Sequence, residues 1–319
     1  KLAKHAKYRR IMTGSPVTKS PLDLFSQVQF LDPWLLDQQS YYSFRARYAV
    51  IVQRSVGTHS FQHIVKYQRL DELQEKIQNF STRVLKSDCL DLPEKVYTKR
   101  SVSLTPEQLK AYTEMKKAAI TFFEENVMTA ASVLTQMIRL HQIICGHVKT
   151  DDGEIKSIKS NRIKELLEVL EETNGKVIIW AVYRYDIQEI ERTLGEKYGK
   201  ESVATYYGDT KDNLRQSIVD RFMDADDDLR FFVGNPKTGG YGLTLTSSHT
   251  VVYYSNDYSL EVRLQSEDRA HRIGQTNKVT YVDLMADHTI DEKIVKALNA
   301  KIDLASQVMG EDPKKILFG

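Results

Sequence analysis

With 319 residues, 41% of them hydrophobic, the chain is long enough for two compact units with real cores. Forty-five Lys and Arg against 43 Asp and Glu leave a formal charge of only +2, so any nucleic-acid contact must rest on local patches. The two cysteines, Cys89 and Cys145, form no C-x-x-C pair, and no apolar run approaches the ~18 residues of a bilayer span, so neither a zinc site, a disulfide framework nor a membrane anchor is suggested. With no signal peptide apparent, the expected location is cytoplasmic, or nuclear if the source is eukaryotic.

In chain order, Lys1, Lys4, Lys7, Arg9 and Arg10 crowd the first ten residues with no acid among them. Arg45 to Arg54 and Glu94 to Leu104 read as strands. Thr105-Pro106-Glu107-Gln108 then opens a helix with a capping box and a proline in its first turn. The next helix carries Val133, Met137, Leu140 and Ile144 at i, i+4, i+7 and i+11, a stripe suited to a core. Lys149 to Lys159, around Asp151-Asp152-Gly153, reads as a polar loop between units. Beyond it, apolar β-runs alternate with amphipathic helices. Ile163, Leu166, Leu167 and Leu170 line one helix, Ile187, Ile190 and Leu194 the next, and Leu214, Ile218 and Phe222 another. Such alternation implies an α/β lobe, a parallel sheet covered on both faces with right-handed crossovers. Asp224 to Asp228 is a short acidic loop, and a closing helix aligns Ile290, Ile294, Leu298 and Ile302.

Two segments carry chemistry. After the apolar run Phe231-Phe232-Val233 comes Asn235-Pro236-Lys237-Thr238-Gly239-Gly240-Tyr241-Gly242-Leu243-Thr244-Leu245. A strand leading into clustered glycines lets backbone N–H groups approach a phosphate, with Lys237 and Thr238 adding side-chain donors; a plain strand-to-helix turn is the bland alternative. The second segment runs from Gln265 to Gln275. On a helix, Gln265, Arg269 and Arg272 at offsets 0, +4 and +7 share one face, and paired guanidiniums suit a polyphosphate. A solvated basic face is the alternative. The buried strand Val251-Val252-Tyr253-Tyr254 between the two segments couples them.

These residues resemble the Swi/Snf-type helicase-like ATPases of helicase superfamily two. Lys237 to Leu245 is similar to the family's motif V and Gln265 to Gln275 to its motif VI, with the ending His271-Arg272-Ile273-Gly274-Gln275. Arg10-Ile11-Met12-Thr13-Gly14-Ser15-Pro16-Val17 resembles motif III, with Met12 and Ser15 as departures. Val177 to Tyr183 is similar to motif IV, and Tyr206-Tyr207-Gly208 followed by Arg215 matches the next block. Leu140 to His147 is similar to the family's Leu-Arg-Gln-Ile-Cys-Asn-His block, with His141 where Arg is usual. The short spacing resembles bacterial or phage members.

The resemblance implies three parts: residues 1–35 as a remnant of the first helicase lobe, 36–150 as a mixed α+β connecting region, and 151–319 as a RecA-like C-terminal lobe. No phosphate loop and no Asp-Glu-x-His box occurs, so the chain is expected to be the C-terminal half of a two-lobed ATPase and inactive alone. By the same resemblance, ATP and Mg2+ are held mainly by the N-terminal lobe of the same protein. Arg269 and Arg272 act as arginine fingers with Gln265 orienting the nucleotide, and Gly240 and Gly242 line the ATP site. Lys237, Thr238, Gly239, Gly240, Tyr183 and Arg184 grip the phosphates of double-stranded DNA. No metal ligand is expected in this chain. Two rivals stand beside the DNA translocase: an RNA helicase lobe, whose motif VI commonly ends in Arg where Gln275 stands, and a non-enzymatic nucleic-acid or partner-binding lobe.

Overall fold

The computed structural model describes residues 5–56, 59–124, 130–239 and 242–309. The chain divides into two compact units: Lys1–Cys89 with Ser259–Glu261 and Ala297–Gly319, and Leu90–Tyr258 with Val262–Lys296. No helix among the described residues is long and apolar enough to cross a membrane.

The first unit holds α1 (Asp23–Leu31), α2 (Tyr41–Tyr48), β1 (Ala49–Val56), β2 (His59–Tyr67), α3 (Leu70–Gln78) and α4 (Lys86–Cys89). The strand expected from Arg45 begins only at Ala49. Ser40 and Ser43 form a reciprocal capping box, with Ser43 N–H donating to Ser40 Oγ at 3.1 Å, and this starts a helix through Tyr48. That helix buries Phe44 and Tyr48, one turn apart, against Leu24, Val28, Leu73 and Ile77, with Ala305 and Val308 in the same cluster. Arg47 donates twice to the Glu72 carboxylate, at 2.7 Å each, and the Tyr48 hydroxyl donates to it at 2.8 Å. The Arg47 bonds hold the Glu72 carboxyl below its ordinary range, while burial and the nearby carboxylate push the Tyr48 hydroxyl up to about 12. In the segment resembling motif III, Val17 is buried and Met12 is fully exposed.

The second unit is built on a six-stranded, all-parallel sheet. Its elements are β3 (Lys95–Ser101), α5 (Pro106–Glu124), α6 (Ala130–Cys145), β4 (His147–Lys149), β5 (Ile155–Ser157), α7 (Arg162–Glu171), β6 (Lys176–Trp180), α8 (Arg184–Tyr198), β7 (Val203–Tyr206), α9 (Asp212–Met223), β8 (Phe231–Gly234), α10 (Pro236–Gly239), β9 (Ser248–Tyr253), α11 (Leu260–Glu267), β10 (Val279–Met285) and α12 (Ile290–Met309), the last two helices shared with the first unit. The strand order is β3-β10-β9-β6-β8-β7. Successive residues of one strand enter opposite cores, as the two-residue pleat demands. Val177, Ile179, Phe231 and Val233 pack with Leu166 and Leu170 of α7 and Ile187, Ile190 and Leu194 of α8. Ile178, Trp180, Phe232, Val251 and Tyr253 pack with Val219 and Phe222 of α9. Covered on both faces, the strands read as continuous apolar runs, and the α/β RecA-like expectation holds.

Three local expectations shift. β3 joins the main sheet: Lys95–Ser101 pairs along its whole length with Val279–Met285 at the sheet edge. By spatial contact, residues 90–150 group with the sheet in the second unit. The polar stretch 149–159 contributes to an antiparallel ribbon in which His147 faces Ser157 and Lys149 faces Ile155. On α9 the buried stripe is Val219 and Phe222, while Leu214 is exposed. The capping box at Thr105 and Gln108 is present in both directions, at 3.1 and 3.2 Å. Gln108 Nε2 also donates to the Ile143 and Ile144 carbonyls, tying α5 to the end of α6. Val133 lies outside the described side chains.

Candidate functional site

The arginine stripe exists, by a different route than helical spacing. α11 ends at Glu267, so Arg269 and Arg272 stand in the turn that follows. They converge because both reach one backbone atom: Arg269 Nη1 donates to the Leu243 carbonyl at 3.0 Å and Arg272 Nη1 to the same oxygen at 3.4 Å. Arg269 Nε donates back to the Gln265 carbonyl at 2.8 Å, and the Arg269 carbonyl accepts from Leu245 N–H at 2.9 Å. The segment before β9 and the turn after α11 are thus laced together. Among the described residues neither guanidinium has a carboxylate within ion-pair distance. Burial lowers the pKa of Arg269, and the neighbouring charge of Arg272 lowers it further.

Two buried hubs hold that turn. Gln275 Nε2 donates to the carbonyls of Ser248 at 2.9 Å and of Thr246 and Ala270 at 3.2 Å, while its Oε1 accepts from Thr276 and Asn277 N–H at 3.1 and 3.0 Å. The residue that separates this motif from its RNA-helicase counterpart is therefore a backbone clamp. Glu267 is the second hub. It accepts from Arg263 Nε at 2.7 Å and Tyr97 Oη at 2.6 Å, and Lys95 Nζ lies 3.5 Å away. Arg263 also reaches Asp283 at 2.6 Å and Asn256 at 2.7 Å, and lies 3.5 Å over the Tyr253 ring. Burial, then the Glu267 charge, pushes the Tyr97 hydroxyl far above its ordinary value. Sequence reading missed Arg263, Glu267 and Asp283; the i, i+4 spacing of Arg263 and Glu267 was the available signal.

The glycine-rich segment departs from expectation. Asn235 caps α10, and the short helix takes up backbone donors, among them the Gly239 N–H proposed for phosphate: Lys237 N–H goes to Asn235 Oδ1 at 2.9 Å, and Thr238 and Gly239 N–H go to the Asn235 carbonyl at 3.0 and 2.8 Å. Proline at the first helical position and a side-chain acceptor before it favour that turn. Gly239 serves packing instead. A Cβ there would lie 2.7 Å from the Trp180 ring, which is fully buried. Lys237 Nζ is paired with Asp257 at 2.6 Å, and Thr238 is half-buried. Gly242 has φ +75°, the left-handed region that favours glycine. Gly240 lies outside the described residues.

At the end of β6, Tyr183 is committed internally. Its hydroxyl shares a 2.9 Å hydrogen bond with His141 Nδ1, and its ring packs edge-on to His147. Burial pushes the hydroxyl pKa well up. His141 bridges onward to Asp291 at 3.4 Å, and Asp291 pairs with the buried Arg162. His141, at the position where the family block has Arg, thus links α6 to the motif IV region. His147 Nδ1 lies 3.0 Å from Asp186 on the first turn of α8. Arg184 is exposed and pairs with Asp209 at 3.0 Å.

With this geometry in view, two family models match: the SNF2-related domain over residues 2–149 and the helicase conserved C-terminal domain over residues 158–274. The chain belongs to the Swi/Snf-type family of helicase superfamily two. It is 27% identical to the SWI/SNF chromatin-remodeling complex subunit snf22 of Schizosaccharomyces pombe, over 96% of this chain and 19% of that protein. It is 28% identical to the putative ATP-dependent helicase/translocase YwqA of Bacillus subtilis, over 93% of this chain and 32% of that one. The Sulfolobus solfataricus SWI2/SNF2 ATPase core in complex with dsDNA is similar at TM-score 0.54 and 25% identity, over 92% of this chain and 60% of that one. The chain thus spans about a fifth to a third of the length of these curated relatives.

Proposed function

We propose that this chain is the part of an ATP-dependent DNA translocase that supplies the arginine fingers. The carrying observation is the pair Arg269 and Arg272, gathered on the Leu243 carbonyl with no carboxylate partner among the described residues and with Arg269 already disfavoured as a cation. Two like charges held together in a half-buried turn are offset by a polyphosphate. ATP with its Mg2+ is the substrate that fits, gripped on its other side by the N-terminal lobe of the parent protein. As the bond to ADP loosens, its electron pair passes to the β–γ bridging oxygen, and the charge there and on the equatorial γ-oxygens would meet both guanidiniums, an effect worth about 10³ to 10⁵ in rate in comparable enzymes. Gln265, in the last turn of α11, would orient the nucleotide, and Gly242 of motif V would line the same site.

Double-stranded DNA is the proposed track. With the N–H groups of 237–239 spent inside α10, the grip rests on side chains, chiefly Lys237 and Arg184. Each would exchange a surface carboxylate for a phosphate, a backbone contact that carries no sequence information. In the parent protein, Arg272→Ala should lower kcat at least about a hundredfold with nucleotide affinity far less changed. Its melting temperature should stay put, because Arg272 is exposed and gives up one 3.4 Å bond. Turnover within threefold of the unaltered protein would overturn the finger role and favour a binding lobe.

A further inference from the structure

The strands β1 and β2 form a two-stranded antiparallel ribbon whose two faces differ in chemistry. Direct partners share a face, so Arg54 with Phe61, Val52 with His63 and Val50 with Lys66 line one side. The other side carries Ile51 with Ile64 and Ala49 with Tyr67, and Ile64 and Tyr67 pack on the core of the first unit. The outer side is in water: Phe61 is 47% and Val52 37% exposed, and Arg54, His63 and Lys66 are exposed as well. A bulge between Val50 and Ile51 shifts the register there.

Charge on this ribbon has one sign. From Gln38 to Leu70 the chain contains no Asp or Glu, although the whole protein is nearly balanced. Arg47 and Arg69 inside that stretch are met by Glu72, but Arg54 and Lys66 make no ion pair among the described residues. Counting four residues at ~3.3 Å each, Arg54 and Lys66 stand about 13 Å apart along the ribbon, with Phe61 beside the first and His63 between. An uncovered aromatic ring level with one unpaired cation, with a second further along the same face, is poor as a solvent surface. It suits a strand of unpaired nucleotides, whose phosphates take the cations and whose bases present a π-face to the ring.

We infer that the outer face of the β1–β2 ribbon binds single-stranded polynucleotide, Phe61 stacking on a base and Arg54 and Lys66 contacting phosphates. This surface lies wholly in the first unit and is independent of the proposed nucleotide site, so it is tested without ATP. A fluorescent oligothymidylate and a blunt duplex of equal length are titrated with the whole chain by anisotropy over a range of salt. Phe61→Ala should weaken single-strand binding about tenfold and leave duplex binding within twofold. Arg54→Gln with Lys66→Gln should flatten the single-strand salt slope by roughly 1.4, at about 0.7 for each phosphate no longer neutralised. Lys164→Gln, an exposed cation on α7 of the second unit, should leave both titrations unchanged. An unchanged salt slope in the double Gln variant overturns the inference and leaves the ribbon to a protein partner pairing on its edge. Equal losses on single strand and duplex after Phe61→Ala overturn the stacking assignment. Thermal unfolding of each variant, expected within a degree or two because the residues are exposed, separates binding loss from unfolding.

Discussion

Gln275→Ala tests whether the turn bearing both arginines is held by one amide. The side chain is 5% exposed; its two amide hydrogens are shared among three carbonyls and its oxygen accepts from two N–H groups. Thr276 and Asn277 are exposed, so water can replace the lost acceptor there. The carbonyls of Ser248 and Ala270 belong to buried residues and are left short of a donor. At about 1 to 2 kcal/mol for each buried group stranded, the loss comes to about 2 to 4 kcal/mol, or roughly 4 to 16 °C in melting temperature for a unit of this size. Gln275→Glu keeps the volume and the acceptor but sets a carboxylate against three carbonyl oxygens, so it should destabilise more than Ala does. Urea unfolding of the chain, followed by tryptophan fluorescence from the buried Trp180, reads both variants. A change below 0.5 kcal/mol for Ala, or a Glu variant more stable than the Ala variant, would refute the clamp.

Gly239→Ala should destabilise by about 1 to 3 kcal/mol, since its Cβ would enter the Trp180 ring; Gly208→Ala, which meets nothing within 4 Å, is the matched control, and equal melting temperatures would refute the packing role. Asp257→Asn frees Lys237 from its 2.6 Å partner and should raise duplex affinity several-fold at low salt, with the gain abolished by adding Lys237→Ala; no gain would remove Lys237 from the proposed DNA contacts.

Periodicity and local chemistry made much of the second unit legible. The runs Val177 to Trp180 and Phe231 to Val233 are apolar at every position because helices cover both faces, and the Thr105–Gln108 box announced its helix from four residues. The start of β1 was misplaced because Arg45 to Tyr48 has no period of its own, and the cap that makes it helical lies upstream at Ser40. The pairing partner of β3 was not legible for a different reason. A strand's sequence fixes its tendency to extend, whereas its neighbour, β10, lies some 180 residues away.

By itself the sequence determined the family, the alternation of strand and helix, and the pairing of a glycine-rich segment with a double arginine. Those are properties of residue type and short spacing, written in any window of a dozen residues. Only the tertiary structure decided what each polar group is free to do. The Lys237 to Gly239 donors are spent on Asn235, Gly239 yields to an indole, Tyr183 is held by His141, and Gln275 is a clamp. Arg269 and Arg272 meet over a carbonyl 26 and 29 residues upstream, after the helix that was expected to align them has ended. Whether a donor is available depends on every acceptor within about 3 Å, and those acceptors come from segments that no local pattern brings together.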